Sequence, residues 1–188
     1  MTRKPRPAEV ALLVLDGATA LAHTERIIDA YARVYGDPPF NEGEADVADF
    51  RASWPRRASV PGFRLVVAEI GGRLCGFAFG HELAENTRWW QGVIGEPLDS
   101  AFTSERPGRT FAVIELAVLQ EYRGRGIGRM LHDTLLAGLP HERVTLLVRT
   151  DTPVAHGLYD RSGYRRVAAV QPFDGAPVYD AMVLDIGE

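Results

Sequence analysis

Between Leu116 and Leu131 the chain reads LAVLQEYRGRGIGRML, an apolar run followed by Gly124, Gly126 and Gly128 interleaved with Arg123, Arg125 and Arg129. Glycine at alternate positions costs conformational entropy, so this spacing implies a backbone that must stay bare. A strand that turns through glycines into a helix leaves unpaired N–H groups at the positive end of the helix dipole, a geometry suited to phosphate. The arginines add charge and fork-shaped donors. Just before the run, Glu115 stands alone in the apolar VIELAV. It is either a buried charge held for a purpose or a group facing a wet cleft, and so a candidate proton acceptor or amine-binding carboxylate. On a strand it shares a face with Val113 and Ala117.

The elements that must position these residues alternate along the chain. Val10–Leu15 reads as a short apolar strand. From about Ala20 to Tyr35, Leu21, Ile27, Ile28, Tyr31, Val34 and Tyr35 follow helical spacing, and YGDPPFNEG breaks it. A weaker helix from about Glu44 to Arg57 rests on Val47, Phe50 and Trp54. The runs FRLVVAEI and RLCGFAFGHEL flank Gly71-Gly72, a favoured two-residue hairpin turn. Residues 84–108 are polar, punctuated by Gly and Pro, and without clear periodicity. TFAVIELAVL is the strongest strand signal. After the glycines, Ile127, Met130, Leu131 and Leu135 line one helix face. Arg143–Val148 reads as a buried strand. Thr152 is placed to cap a helix that has Pro153 at its first position and ends at Gly163. Strands near Tyr164–Val170 and Val178–Ile186 complete the pattern, with no internal repeat.

At 188 residues, with 46% apolar and 24% charged residues, the chain fits one well-cored domain. A net charge of −4 gives no electrostatic case for nucleic acid as the main partner. The single Cys75 excludes an internal disulfide and fits a reducing compartment. The basic start TRKPRP precedes only six uninterrupted apolar residues, Val10–Leu15, fewer than the roughly 7–15 of a secretory core. Residues 1–8 therefore read as a flexible tail. No stretch approaches the ~20 apolar residues of a membrane span, so the expected setting is cytoplasmic, with no membrane partner.

Other chemistries can be set aside. A dinucleotide fingerprint would need glycine at position 129 or 131, where Arg129 and Leu131 stand, and the Gly-Lys-Ser/Thr of a Walker loop is absent. The five histidines show no His-Glu-x-x-His or paired spacing, so no metal is expected. There is no Gly-x-Ser-x-Gly elbow.

The segment ELAVLQEYRGRGIGRMLHDTLL resembles the acetyl-CoA-binding motif of the GNAT acetyltransferase superfamily, Arg/Gln-x-x-Gly-x-Gly/Ala after a strand, here Arg123, Gly126 and Gly128. Downstream, Ala155, Leu158, Tyr159, Gly163 and Tyr164 resemble that family's Ala-x-x-Leu-Tyr-x-x-x-Gly-Phe element, in the same order. The firm resemblance covers roughly residues 110–165. It implies a single GNAT-like α/β domain over residues 1–188, with a mixed, mostly antiparallel sheet of about seven strands and helices on both faces. It also implies acetyl-CoA as co-substrate and direct transfer of its acetyl group to an amine. Backbone amides of Arg123, Gly124, Arg125, Gly126, Ile127, Gly128 and Arg129 would bind the pyrophosphate. Leu116, Ala117, Val118 and Leu119 would pair with the pantetheine arm, where central strands splay apart. Tyr159 becomes the general acid that protonates or stabilises the departing thiolate.

The acceptor's proton needs a base, and Glu115 is the leading candidate, with Glu69, His81 and Glu82 in reserve. Members that modify protein N-termini carry a glutamate where this chain has Leu147, and histone-type members carry one where it has Ala112. Both departures count against those substrates, and the hints of an enclosed pocket favour a small-molecule amine. Trp89, Trp90 and Glu69 are candidates for the acceptor pocket. Between residues 82 and 105, Glu82, Glu85, Glu96, Asp99 and Glu105 face only Arg88, which reads as a solvated loop or an acidic lip for a cationic amine. Dimers are common in such a family, so a homodimer is left open. The rival reading is a non-catalytic acyl-CoA-binding or ligand-sensing module.

Overall fold

The computed structural model describes residues 10–187. The tail expected over residues 1–8 lies outside them. Eight strands alternate with helices in a mixed α/β fold, in the hydrogen-bonded order β1-β2-β3-β5-β6-β8-β7-β4. The strands are β1 (Ala11–Leu15), β2 (Arg64–Ile70), β3 (Arg73–Glu82), β4 (Val93–Ile94), β5 (Thr110–Val118), β6 (Arg143–Arg149), β7 (Arg165–Val170) and β8 (Tyr179–Asp185). The helices are α1 (Gly17–Ala20), α2 (Thr24–Tyr35), α3 (Glu44–Ala58), α4 (Ser100–Thr103), α5 (Ile127–Leu136) and α6 (Pro153–Arg161). Strands β5 and β6 run parallel. The pairs β1–β2, β2–β3, β4–β7, β6–β8 and β7–β8 are antiparallel. The sheet is therefore mostly antiparallel, as expected, with one strand more than the sequence suggested. The extra strand is β4, whose two residues are too few to produce a periodic signal.

The chain divides into two compact units, one running to Gly80 and including Glu115–Gly138, the other holding His81–Ile114 and the residues from Leu139 onward. In the first, β1, β2 and β3 form a meander whose hairpin turns through Gly71 and Gly72, both with positive φ (58° and 75°). The core gathers Ile27, Trp54, Leu65, Val67, Phe77, Phe79 and Leu131, all fully or almost fully buried. Of the apolar positions read from the sequence, Ile27, Ile28, Tyr31 and Val34 of α2 and Ile127, Leu131 and Leu135 of α5 are buried, whereas Leu21 lies in the turn before α2 and is exposed. Arg64 donates to the carbonyls of Thr134 (3.2 Å) and Ala137 (2.9 Å), satisfying acceptors that the end of α5 leaves open. Gly76 on β3 lets β5 close in, because a Cβ there would stand 2.6 Å from the Ala117 carbonyl oxygen.

In the second unit β6 pairs along its whole length with β8, from Arg143↔Asp185 to Arg149↔Tyr179, whereas its register with β5 runs from Thr110↔Arg143 to Val113↔Leu146. The stretch 84–108 contains β4 and the one-turn α4. Asp99 caps α4, accepting from the N–H groups of Ala101 (2.7 Å) and Phe102 (3.3 Å). One local expectation is corrected. Thr152 stands at the cap position of α6 but makes no side-chain cap bond there. Its hydroxyl instead donates to the Arg149 carbonyl at 2.7 Å, closing the turn before the helix.

Candidate active site

The glycine turn takes the shape its sequence implied. Val118 ends β5, a 3₁₀ turn covers Gln120–Tyr122, and α5 starts at Ile127. Gly124 (φ 70°) and Gly126 (φ 80°) adopt left-handed backbone, which a side chain would strain. A Cβ added at either would meet nothing within 4 Å, so backbone shape, not crowding, demands glycine. Arg123 donates to the Val118 carbonyl (2.9 Å) and Arg125 to the Glu121 carbonyl (2.7 Å), so two arginines brace the turn. Arg129 reaches Asp133 at 3.2 Å, an exposed i,i+4 pair. The first N–H groups of α5 have no acceptor within the helix, and with the dipole behind them their geometry suits an anion.

Next to that segment, Glu115 sits in a cluster assembled from three other parts of the same unit. The ring of Tyr31 stacks on Phe50 (3.8 Å between centroids), Tyr35 leans on Tyr31 (4.5 Å), and Phe40 meets Tyr35 edge-on (4.7 Å). This aromatic series holds the Tyr35 hydroxyl against Glu115, where it donates a hydrogen bond to Oε2. Burial pushes the Glu115 carboxyl up to about 7. The Tyr35 hydrogen bond and the Arg57 charge pull it down, and the Glu42 carboxylate adds to the rise. The Tyr31 phenol is raised, by burial first and then by its hydrogen bond to Glu42. A carboxyl that titrates near neutrality can hold or release a proton at working pH, as a general base must. Glu69, by contrast, is bound by Arg26 at 2.5 Å.

The second unit holds Tyr159, buried on α6 with its ring 5.5 Å from Tyr164 in edge-to-face contact. It also holds both loop tryptophans. Trp89 donates its indole N–H to Thr145 (3.2 Å), and Trp90, itself buried, donates to Glu105 (2.9 Å). Leu83, Trp90, Ala112 and Val183 form one apolar cluster with Trp89 packed on it. The tryptophans thus anchor the loop, and Trp90 also borders a cleft of about 280 Å³ with Thr87, Gln91, Val93, Pro97, Leu98 and Thr103. The loop's acids are largely spoken for. Glu105 pairs with Arg143 at 2.8 Å, Asp99 caps α4, and Glu82 meets His141 at 3.2 Å. Among the described residues no group of three or more His, Cys, Asp or Glu could hold a metal ion, and no helix is long and apolar enough to cross a membrane.

Residues 25–164 match the family model described as "Acetyltransferase (GNAT) family". This chain belongs to that family. As a GNAT protein it is an acetyl-CoA-dependent N-acetyltransferase. Among solved structures it is similar to Ard1 from Thermoplasma volcanium (17% identity, TM-score 0.62, covering 96% of this chain and 99% of that one). It is also similar to the PaiA N-acetyltransferase of Thermoplasma acidophilum in complex with coenzyme A (13%, 0.62, 94% and 99%). A third is Arabidopsis thaliana NAA60 in complex with acetyl-CoA (17%, 0.64, 94% and 99%). At these identities the likeness is one of GNAT fold. No curated protein matches the chain.

The GNAT turn, the segment Leu116–Leu119, Glu115 and Glu69 lie in the first unit, and Tyr159, Trp89 and Trp90 in the second. Sequence reasoning missed Tyr35, Glu42 and Arg57. The available signal was the pair Tyr31 and Tyr35, one helical turn apart on α2 and directly before the helix stop at Gly36.

Proposed function

We propose that this GNAT protein moves the acetyl group of acetyl-CoA directly to the amine of a small-molecule acceptor, acting in the cytoplasm as a single catalytic domain. Glu115 takes the proton of the attacking amine and Tyr159 assists departure of the CoA thiolate. The observation that carries the reading is Glu115 itself, a carboxyl held by the Tyr35 hydroxyl and pushed up to about 7, one residue before the segment Leu116–Leu119. That segment pairs with pantetheine, and the amides from Arg123 to Arg129 cradle the pyrophosphate. Glu115 is favoured over Glu69, which Arg26 already neutralises. Trp89 and Trp90 enter the proposal as anchors of the loop, with Trp90 walling a cleft open to an acceptor. Neither nucleic acid nor a membrane has a part in it.

Calorimetric titration with acetyl-CoA is the first test. The unaltered chain binds in the micromolar range, and Gly126→Glu weakens binding about thirtyfold or more, because it puts an L-residue at φ 80° and a negative charge into an anion cradle. Equal affinity in the variant would refute the cradle. No binding by the unaltered chain would refute the cofactor assignment.

Turnover is read as free CoA thiol released with a panel of amines. Tyr159→Phe slows that release by about tenfold to a hundredfold at unchanged acetyl-CoA affinity, since only the donated proton is removed. Turnover equal to the unaltered chain would remove Tyr159 from the chemistry. Binding without turnover on any amine would return the protein to the acyl-CoA-binding module.

A further inference from the structure

We propose that Tyr35 is the positioning residue of Glu115: its hydroxyl fixes the carboxylate through Oε2 and keeps it ionised, leaving Oε1 to receive the proton. The inference rests on the reading of Glu115 as the base, and goes beyond it by naming the group that makes a half-buried glutamate usable.

Glu115 sits on β5 among apolar neighbours, and burial in such a place drives a carboxyl toward its neutral form. A neutral carboxylic acid cannot accept the proton of an ammonium. Something must hold the ionised form without neutralising it altogether, as a close arginine partner would. A phenol is that intermediate donor, because it gives one hydrogen bond and no charge. Tyr35 supplies it from the last residue of α2, 80 positions away in sequence. Among the described residues Oε1 of Glu115 has no hydrogen-bond partner, so the two oxygens are differentiated.

The placement of the hydroxyl is itself secured. The Tyr35 ring is wedged between Tyr31 and Phe40, and Tyr31 is stacked on Phe50 of α3. A phenylalanine at position 35 would keep these ring contacts, so packing alone leaves the hydroxyl unexplained. The charged and titratable groups around Glu115 are Tyr35 and Tyr31 of α2, Glu42 of the following loop and Arg57 of α3. They act with opposing signs. Tyr35 and Arg57 favour the carboxylate, and Glu42 opposes it. Arg57 is drawn toward its own helix, where it donates to Ser53 at 2.9 Å and lies over Phe50. Tyr35 is thus the direct donor in the set.

The test follows the Glu115 carboxyl carbon by NMR as pH is varied, with its signal assigned by its loss in Glu115→Gln. In Tyr35→Phe the titration midpoint rises by about one pH unit, the worth of a hydrogen bond to a charged group. In Glu42→Gln it falls. Misfolding cannot move one carboxyl in opposite directions, so the pair of signs is the signature of the cluster. The pH profile of CoA release follows the midpoint. With the amine found by the screen, Tyr35→Phe loses about tenfold at pH 6 and recovers by pH 9. An unmoved midpoint in Tyr35→Phe, or a loss of activity uniform in pH, would overturn the proposal. The parent reading fails separately: wild-type turnover in Glu115→Gln removes the base, while the titration still decides whether Tyr35 governs that carboxyl.

Discussion

Glu115→Gln binds acetyl-CoA like the unaltered chain and acetylates its amine about a hundredfold to ten-thousandfold more slowly, the usual worth of a positioned general base. The glutamine fits the same space and can still accept from Tyr35, so the loss isolates proton acceptance. Turnover within threefold of the unaltered chain, measured as CoA released above pH 8, would mean that another group or water alone takes the proton. The sign of the accompanying pH dependence is fixed. Glu115 titrates near 7 when folded and near 4.5 otherwise, so below about 4.5 it is neutral in both states and costs nothing. Between about 4.5 and 7 the unfolded chain releases a proton that the folded chain keeps, so stability falls across that window and levels off above 7. Glutamine avoids that cost. The stability gain of Glu115→Gln therefore grows by on the order of 2 kcal/mol between pH 5.5 and 8.5, read from denaturant unfolding at each pH. Catalytic rate in the unaltered chain runs the other way, falling about tenfold per pH unit below 7.

Glu105→Ala destabilises the protein by about 3–5 kcal/mol, through the charge it strands. Arg143 is 6% exposed and Glu105 0%, and both the guanidinium and the Trp90 indole N–H donate to the same oxygen, Oε1. Arg143 also donates to Thr110 and to the Phe102 carbonyl (2.8 Å each) and lies over the rings of Phe102 (4.5 Å) and Trp90 (5.1 Å). Removing the carboxylate leaves a cation enclosed by two aromatic faces, with its one directly bonded counter-charge gone and only the more distant Asp185 opposing it. Replacing both partners, Glu105→Leu with Arg143→Met, recovers most of the loss, because no buried charge remains. Urea unfolding of the single and double variants measures both steps. A single variant costing under about 1 kcal/mol would show that the pair is solvated in solution and does not anchor the loop.

What could be read from the chain depended on how locally each feature is encoded. The runs that became β2, β3, β5, β6 and α2 were legible because a strand or helix repeats its pattern over several residues. The turn was legible for a similar reason, since positive φ at Gly124 and Gly126 is written in the residue type. Strand β4 and helix α4 left no repeat to find. Thr152 could hydrogen-bond forward to its helix or back to Arg149, and only the fold decided. The partners of Glu115 were hidden because they arrive from distant segments. The acids near residues 82–105 looked alike in sequence, yet one is buried against arginine, one caps a helix and one meets a histidine. Composition counts charges and does not say which are enclosed.

Gly124 and Gly126 separate two properties that usually travel together, exposure and tolerance to change. Both are exposed and touch no side chain, the profile of positions where most substitutions are neutral. Their backbone nevertheless costs an ordinary L-residue about 1–3 kcal/mol, an effect of the size usually met at buried positions. In a saturation survey of this chain, two solvent-facing sites will score more like interior ones than like the surface around them, and a library designed by burial alone would misplace its diversity there.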